Sequence, residues 1–94
     1  MNVKVLDSAL KHDLKEDEVK YASQHIVCDK VKKRKDNIVH FAVGILPSGK
    51  TCELVFYIEH FGQVVIFHAM SPAKNEFVKE VQKRKRGSKN DRRN

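Results

Sequence analysis

Apolar residues recur along this chain with two different periods, and the change between them divides it. Residues 3–6 form a short apolar lead, after which Asp7-Ser8 reads as the cap of a single helical turn running through Ala9 and Leu10 to His12. The acid-rich stretch 13–18 has the right sign for the start of a second helix reaching about Gln24, with Val19, Ala22 and Ile26 at helical spacing. From Val27 onward the period falls to two. Val27 and Val31 alternate with polar residues, followed by Val39, Phe41, Val43 and Ile45, then Leu54, Phe56 and Ile58, then Val65 and Phe67. Turn-forming clusters at 34–37, 47–50 and 60–63 separate these runs.

Antiparallel pairing must set apolar residues against apolar residues, which predicts a register. If the loop 47–50 closes the middle hairpin, Leu46 faces Thr51, Ile45 faces Cys52, Val43 faces Leu54, Phe41 faces Phe56 and Val39 faces Ile58. Across the next hairpin Ile58 faces Val65, Phe56 faces Phe67 and Leu54 faces Ala69. One side of the sheet is then apolar and hidden by helices. The other carries Lys30, Lys32, His40, Val55, Tyr57, Ile66 and His68, and this is the side predicted to be functional. The predicted class is α+β: two short N-terminal helices, a four-stranded antiparallel meander and a C-terminal helix.

The stretch 64–74 runs from the last strand into that helix. Ser71 reads as its N-cap and Pro72 as its first residue, since Ser accepts a bond from a free helical N–H and Pro has none to lose. His68 and Lys74 then flank a helix N-terminus, which favours an anion, and phosphate is the anion expected there.

Composition narrows the classes. A chain of 94 residues with 40% hydrophobic content supports one modest core, so residues 1–86 are read as one domain and 87–94 as a basic, flexible tail. Of the net charge of +7, +6 falls between Lys79 and Asn94. Such a concentration suits a polyanionic partner, or else a tail that only keeps the chain soluble. No apolar run of membrane length and no signal-peptide pattern is present, so a cytoplasmic location without a membrane partner is expected. Cys28 and Cys52 read as reduced core thiols, and no trio of histidines has metal-ligand spacing, so no cofactor or metal is expected. Nucleotide-dependent enzymes are disfavoured by the absence of GxGxxG, GxxxxGK[ST] and parallel βαβ spacing. Glu53 and Glu59, about 20 Å apart along one strand, do not make a carboxylate pair.

Three segments carry a family resemblance: Lys11-His12-Asp13-Leu14 before the acidic helix start, Val43-Gly44-Ile45 followed by Ser48-Gly49-Lys50, and Gly62-Gln63-Val64-Val65-Ile66 leading to Ala69 and Ala73. In order and spacing they resemble the RelE-like toxins of bacterial toxin–antitoxin pairs, most of all the BrnT subgroup, over residues 8–82. BrnT-like proteins usually follow the last strand with a segment resembling Ile-Ser-Ala-Arg-x-Ala-Thr. Here the run is His68-Ala69-Met70-Ser71-Pro72-Ala73-Lys74, and the arginine expected near Ser71 is absent.

The resemblance implies a metal-independent endoribonuclease that cleaves mRNA, on or off the ribosome, and inhibits translation. It further implies neutralisation by a cognate antitoxin protein, with operator DNA bound only through the antitoxin complex. Such cleavage needs a proton taken from a 2′-hydroxyl, charge neutralised on the phosphoryl oxygens and a proton given to the leaving 5′-oxygen. The candidate catalytic set is His68, Lys74 and Arg84. The candidate RNA contacts are Lys30, Lys32, His40, Tyr57, Lys83 and Arg86, with Tyr57 stacking on a base. Plainer roles stand beside these: His68 bonded to nearby backbone, His40 as a surface strand residue, and the lysines of 30–35 as guards of a sheet edge. The alternative function is a non-catalytic RNA-binding or protein-interaction module using the same basic face.

Overall fold

The computed structural model describes residues 2–34 and 37–83, Arg34 by its backbone alone. In order, the elements are β1 (Val3–Val5), a 3-10 turn (Asp7–Leu10), α1 (Glu16–Ser23), β2 (Ile26–Arg34), β3 (Asn37–Ile45), β4 (Thr51–Ile58), β5 (Val64–Met70) and α2 (Asn75–Gln82). The chain is α+β as predicted, but the sheet has five strands and is mixed, in the order β1-β5-β4-β3-β2. The predicted four-stranded antiparallel meander is corrected at its edge: residues 3–5 are a strand parallel to β5, with Val3 opposite Val64 and Val5 opposite Ile66. Three residues are too few to show a period, and the free edge of β5 is what orders them. The first predicted helix is a 3-10 turn only, and the second starts at Glu16, where Glu18 Oε1 accepts the Lys15 N–H at 2.9 Å.

The two hairpins on either side of β4 turn by the same device, and it changes the register. Gly49 N–H donates to the Leu46 carbonyl at 2.8 Å and Leu46 N–H to the Lys50 carbonyl at 2.9 Å. Likewise Gly62 N–H donates to the Glu59 carbonyl at 2.9 Å and Glu59 N–H to the Gln63 carbonyl at 2.9 Å. Gly49 (φ 91) and Gly62 (φ 84) take the left-handed conformation that closes such a three-residue loop. A loop one residue shorter than predicted moves every pair by one: Ile45 faces Thr51, Ala42 faces Leu54, Phe41 faces Val55 and His40 faces Phe56. Because side chains alternate, the faces of β3 exchange. On β5, Ile58 faces Val64 and Phe56 faces Ile66. An irregularity at Phe67 then restores the predicted pairing of Leu54 with Ala69 and sets Val55 against His68.

Helices cover both faces. On one, Val19 and Ala22 of α1 bury themselves against Ala42, Leu54 and Ile66, with Ala9 of the 3-10 turn beside them. A Cβ on Gly44 would meet the carbonyl oxygen of Ala22, so α1 rests on the bare backbone of β3. On the other face α2 lies over β2 and β3, with Phe77 6.0 Å from Phe41, ring centre to ring centre. Cys52 is buried in the α1 core, and burial, more than any other cause, pushes its thiol up to about 11. Cys28 is partly exposed on β2, and both cysteines are free thiols. No helix among the described residues is long and apolar enough to cross a membrane. The predicted boundary at 86 and the tail 87–94 lie outside the described residues.

Candidate functional site

Glu53, in the middle of β4, is 2% exposed and is the buried charged residue among the described residues. A carboxylate in such a place needs donors. It has two: His68 Nε2–H donates to Oε2 at 2.7 Å, and the backbone N–H of Lys74 donates to Oε1 at 2.9 Å. The register brings them together. Glu53 faces Met70 and Val55 faces His68, so Glu53 and His68 are diagonal neighbours on the α2 side of the sheet. An ionised carboxylate only accepts, which keeps a hydrogen on Nε2 and leaves Nδ1 as the basic nitrogen of the neutral ring.

The helix start differs from the prediction. Ser71 precedes a cis bond to Pro72, and instead of capping the helix its hydroxyl donates to the Thr51 carbonyl at 2.6 Å. Ala73 N–H donates to Thr51 Oγ1 at 3.0 Å, and α2 begins at Asn75 with Lys74 as its N-cap. The anion received at this helix start is Glu53 of the same chain. The predicted phosphate position is therefore filled by a carboxylate, which uses the same N–H donor to orient His68.

Beside α2 this face of the sheet opens into a cleft of about 470 Å³ floored by Val39, Phe41, Val55 and Phe67. Ser8, Lys11 and His12 form its wall, and His68 lies between wall and floor. The wall is held to the edge of β5 by Ser8, whose hydroxyl donates to the Phe67 carbonyl at 2.7 Å. The imidazoles of His12 and His68 stand edge to face with centroids 5.8 Å apart. Lys32 Nζ sits 5.1 Å above the ring of Phe41, a favourable cation–aromatic placement, and Tyr57 tilts against Phe67 at 6.0 Å.

Of the predicted site residues, His68 lines this cleft, while Lys32 and Tyr57 lie against its floor rings Phe41 and Phe67. Lys74 joins through its backbone, and its side chain is exposed. Lys30 and Lys32 are paired: Glu80 Oε2 on α2 lies 3.2 Å from Lys30 Nζ and 3.0 Å from Lys32 Nζ. The hydrogen bonds from Lys32, then Lys30, hold the Glu80 carboxyl at about 2. These lysines therefore fasten α2 to β2. His40 is corrected to the opposite face by the one-residue slip, where it stacks on Phe56 with centroids 4.9 Å apart. Ile66 likewise belongs to the α1 core. Lys83 is exposed at the end of α2, and Arg84 and Arg86 lie outside the described residues.

Sequence reasoning passes over Glu53, His12 and Lys11. Glu53 has a readable signal, since a single acid inside the apolar run 52–58 is costly unless something holds it. His12 and Lys11 have none, because His12 and His68 lie 56 positions apart and only the fold joins them. Among the described residues no three His, Cys, Asp or Glu side chains are placed to hold a metal ion. Comparison with protein-family models, with curated proteins and with solved structures finds no match to this chain.

Proposed function

We propose that this chain is an endoribonuclease that cuts single-stranded mRNA at the cleft beside α2. The observation that carries this reading is His68, held at 2.7 Å by the buried Glu53 at the edge of a cleft that has Phe41 and Phe67 in its floor and Lys11 in its wall. In this reaction the 2′-hydroxyl gives its proton to Nδ1 of His68 while its oxygen attacks the adjacent phosphorus and the bond to the 5′-oxygen breaks. The product is a 2′,3′-cyclic phosphate. Glu53 keeps the ring in the basic tautomer and stabilises the imidazolium that forms. Lys11 supplies charge for the phosphoryl oxygens, and Phe41, Phe67 and Tyr57 offer surfaces for unpaired bases. The resemblance to RelE-like and BrnT-like toxins supplies the wider setting: an inhibitor of translation in the cytoplasm, neutralised by a cognate antitoxin that carries the pair to operator DNA.

The test is His68→Ala, assayed on labelled RNA in the presence of a chelator and by growth arrest on expression. Cleavage is expected to fall by about 10²–10⁴-fold, the usual contribution of a positioned acid–base group. Because Glu53 loses one of its two donors the melting temperature falls as well, so the rates are compared at a temperature where circular dichroism shows the variant folded. A variant that binds RNA like the wild type, where the wild type itself cuts nothing, would instead identify a binding module on the same face.

A second measurement reads the lysines. Glu80→Gln removes the anion that neutralises Lys30 and Lys32. Binding of single-stranded RNA is expected to tighten, and its log–log salt slope to steepen by about 1.4 if both ammonium groups reach phosphates. An unchanged slope would remove both lysines from the RNA path.

A further inference from the structure

The cleft holds a second imidazole that the reading above leaves unused. Resting on that reading, we propose that His12 is a catalytic residue, the general acid that protonates the leaving 5′-oxygen. In an in-line displacement the attacking and leaving oxygens lie on opposite sides of phosphorus, so one group cannot serve both in a single step. Two proton-transfer groups are needed, each within about 2.6–3.2 Å of its oxygen. His12 and His68 have ring centroids 5.8 Å apart and both line the same cleft, a spacing that suits two groups acting on one phosphodiester.

The surroundings divide the roles. His68 donates Nε2–H to a buried carboxylate, an arrangement that favours taking up a proton at the other nitrogen. His12 is exposed, and among the described residues its ring has no hydrogen-bond partner and stands edge to face with His68. Both of its ring nitrogens are therefore left to a bound substrate, and one of them can donate to the leaving oxygen. The charged and titratable groups lining the cleft are Lys11, His12 and His68, from the wall and β5. The linings from β3 and β4, Val39, Phe41 and Val55, carry none. Lys11, next to His12, places positive charge where the oxyanion develops.

The step balances. The O2′–P bond forms and the P–O5′ bond breaks. The 2′-hydroxyl proton passes to His68, and a proton from His12 passes to the 5′-oxygen. The products are a 2′,3′-cyclic phosphate and a 5′-hydroxyl, with no water consumed. The exchanged protons return through solvent.

A substrate with sulfur in place of the 5′-oxygen tests this assignment, because a thiolate leaves without being protonated. The probe is an RNA containing the bond that the wild-type chain cuts, made with oxygen or with sulfur at that position. His12→Ala is expected to lose about 10²–10⁴-fold on the oxygen substrate and to recover most of that loss on the sulfur one. His68→Ala is expected to stay slow on both. A His12→Ala rate equal to wild type on oxygen overturns the role of His12 and leaves the nuclease reading standing. Loss on both substrates by a variant that melts like wild type overturns the acid assignment. Absence of cleavage by the wild type sinks both readings together.

Discussion

Glu53→Gln is expected to leave the chain folded and to slow RNA cleavage by about 10²–10⁴-fold, nearly as much as removing the imidazole itself. The carboxylate accepts from two donors, the Nε2–H of His68 and the N–H of Lys74. An amide has one oxygen, so it can accept from only one side and must present its NH₂ to the other. The backbone N–H of Lys74 cannot reverse its role, whereas the imidazole can. His68 then takes the opposite tautomer, accepting at Nε2 and carrying its hydrogen on Nδ1, the nitrogen proposed to act as base. Where the ring does not adapt, an unsatisfied buried donor costs about 1–3 kcal/mol. That corresponds to roughly 4–24 °C in melting temperature for a domain of this size. Thermal melting together with the cleavage rate separates the two effects. A Glu53→Gln variant that cuts RNA at the wild-type rate would mean Glu53 supports the fold alone.

Gly44→Ala is expected to destabilise the fold strongly. Its Cβ would collide with the carbonyl oxygen of Ala22 and lie 3.0 Å from the carbonyl carbon. Both atoms belong to the backbone of α1, so no rotamer change relieves the contact. The helix must move off a core that includes the fully buried Val19 and Leu54. Overpacking of this kind costs about 3 kcal/mol, the upper end of the usual range, or more. A lowering of the melting temperature by roughly 12–24 °C is expected. Ala22→Gly should not rescue it, because the obstacle is not the Ala22 side chain. Gly49→Ala is the control: its φ of 91 is unfavourable for alanine, yet no atom lies within 4 Å of the added carbon. It should cost about 1–2 kcal/mol. A Gly44→Ala protein that melts with wild type would show that α1 does not sit against β3.

Both results bear on why hydrophobic matching misplaces the register of β3. Residues 41–46, Phe-Ala-Val-Gly-Ile-Leu, are apolar or small at every position, so either face of β3 can be set against the apolar residues of β4. Matching by hydrophobicity therefore accepts a register one residue away from the true one. Turn chemistry discriminates where hydrophobicity does not. Pro47 suits the second position of a type I turn, and Gly49 suits the left-handed residue that closes it. The same reading applies to Gly62 after Glu59-His60-Phe61. Read as three-residue loops, both turns place small Ala42 and Gly44 under the helix. The sequence therefore holds this register, in its glycines more than in its hydrophobic residues. The irregularity at Phe67 has no comparable signal. It restores the pairing at Leu54 and Ala69, which is why the prediction places His68 on the correct side although it misplaces His40.

By itself the sequence determined the α+β class, the four long strands and the presence of α1 and α2, though not the start of α2 or the 3-10 character of the first turn, because periodicity and turn residues act over a few neighbouring residues. It also singled out His68, the polar residue that interrupts an apolar strand. Tertiary structure alone decided that residues 3–5 complete the sheet, that Glu80 occupies Lys30 and Lys32, and that Glu53, His68 and His12 form one group. Those outcomes depend on which distant segments are brought into contact and on how a buried carboxylate finds its donors. No local pattern encodes such pairings, since their energies exist only once the chain has closed around them.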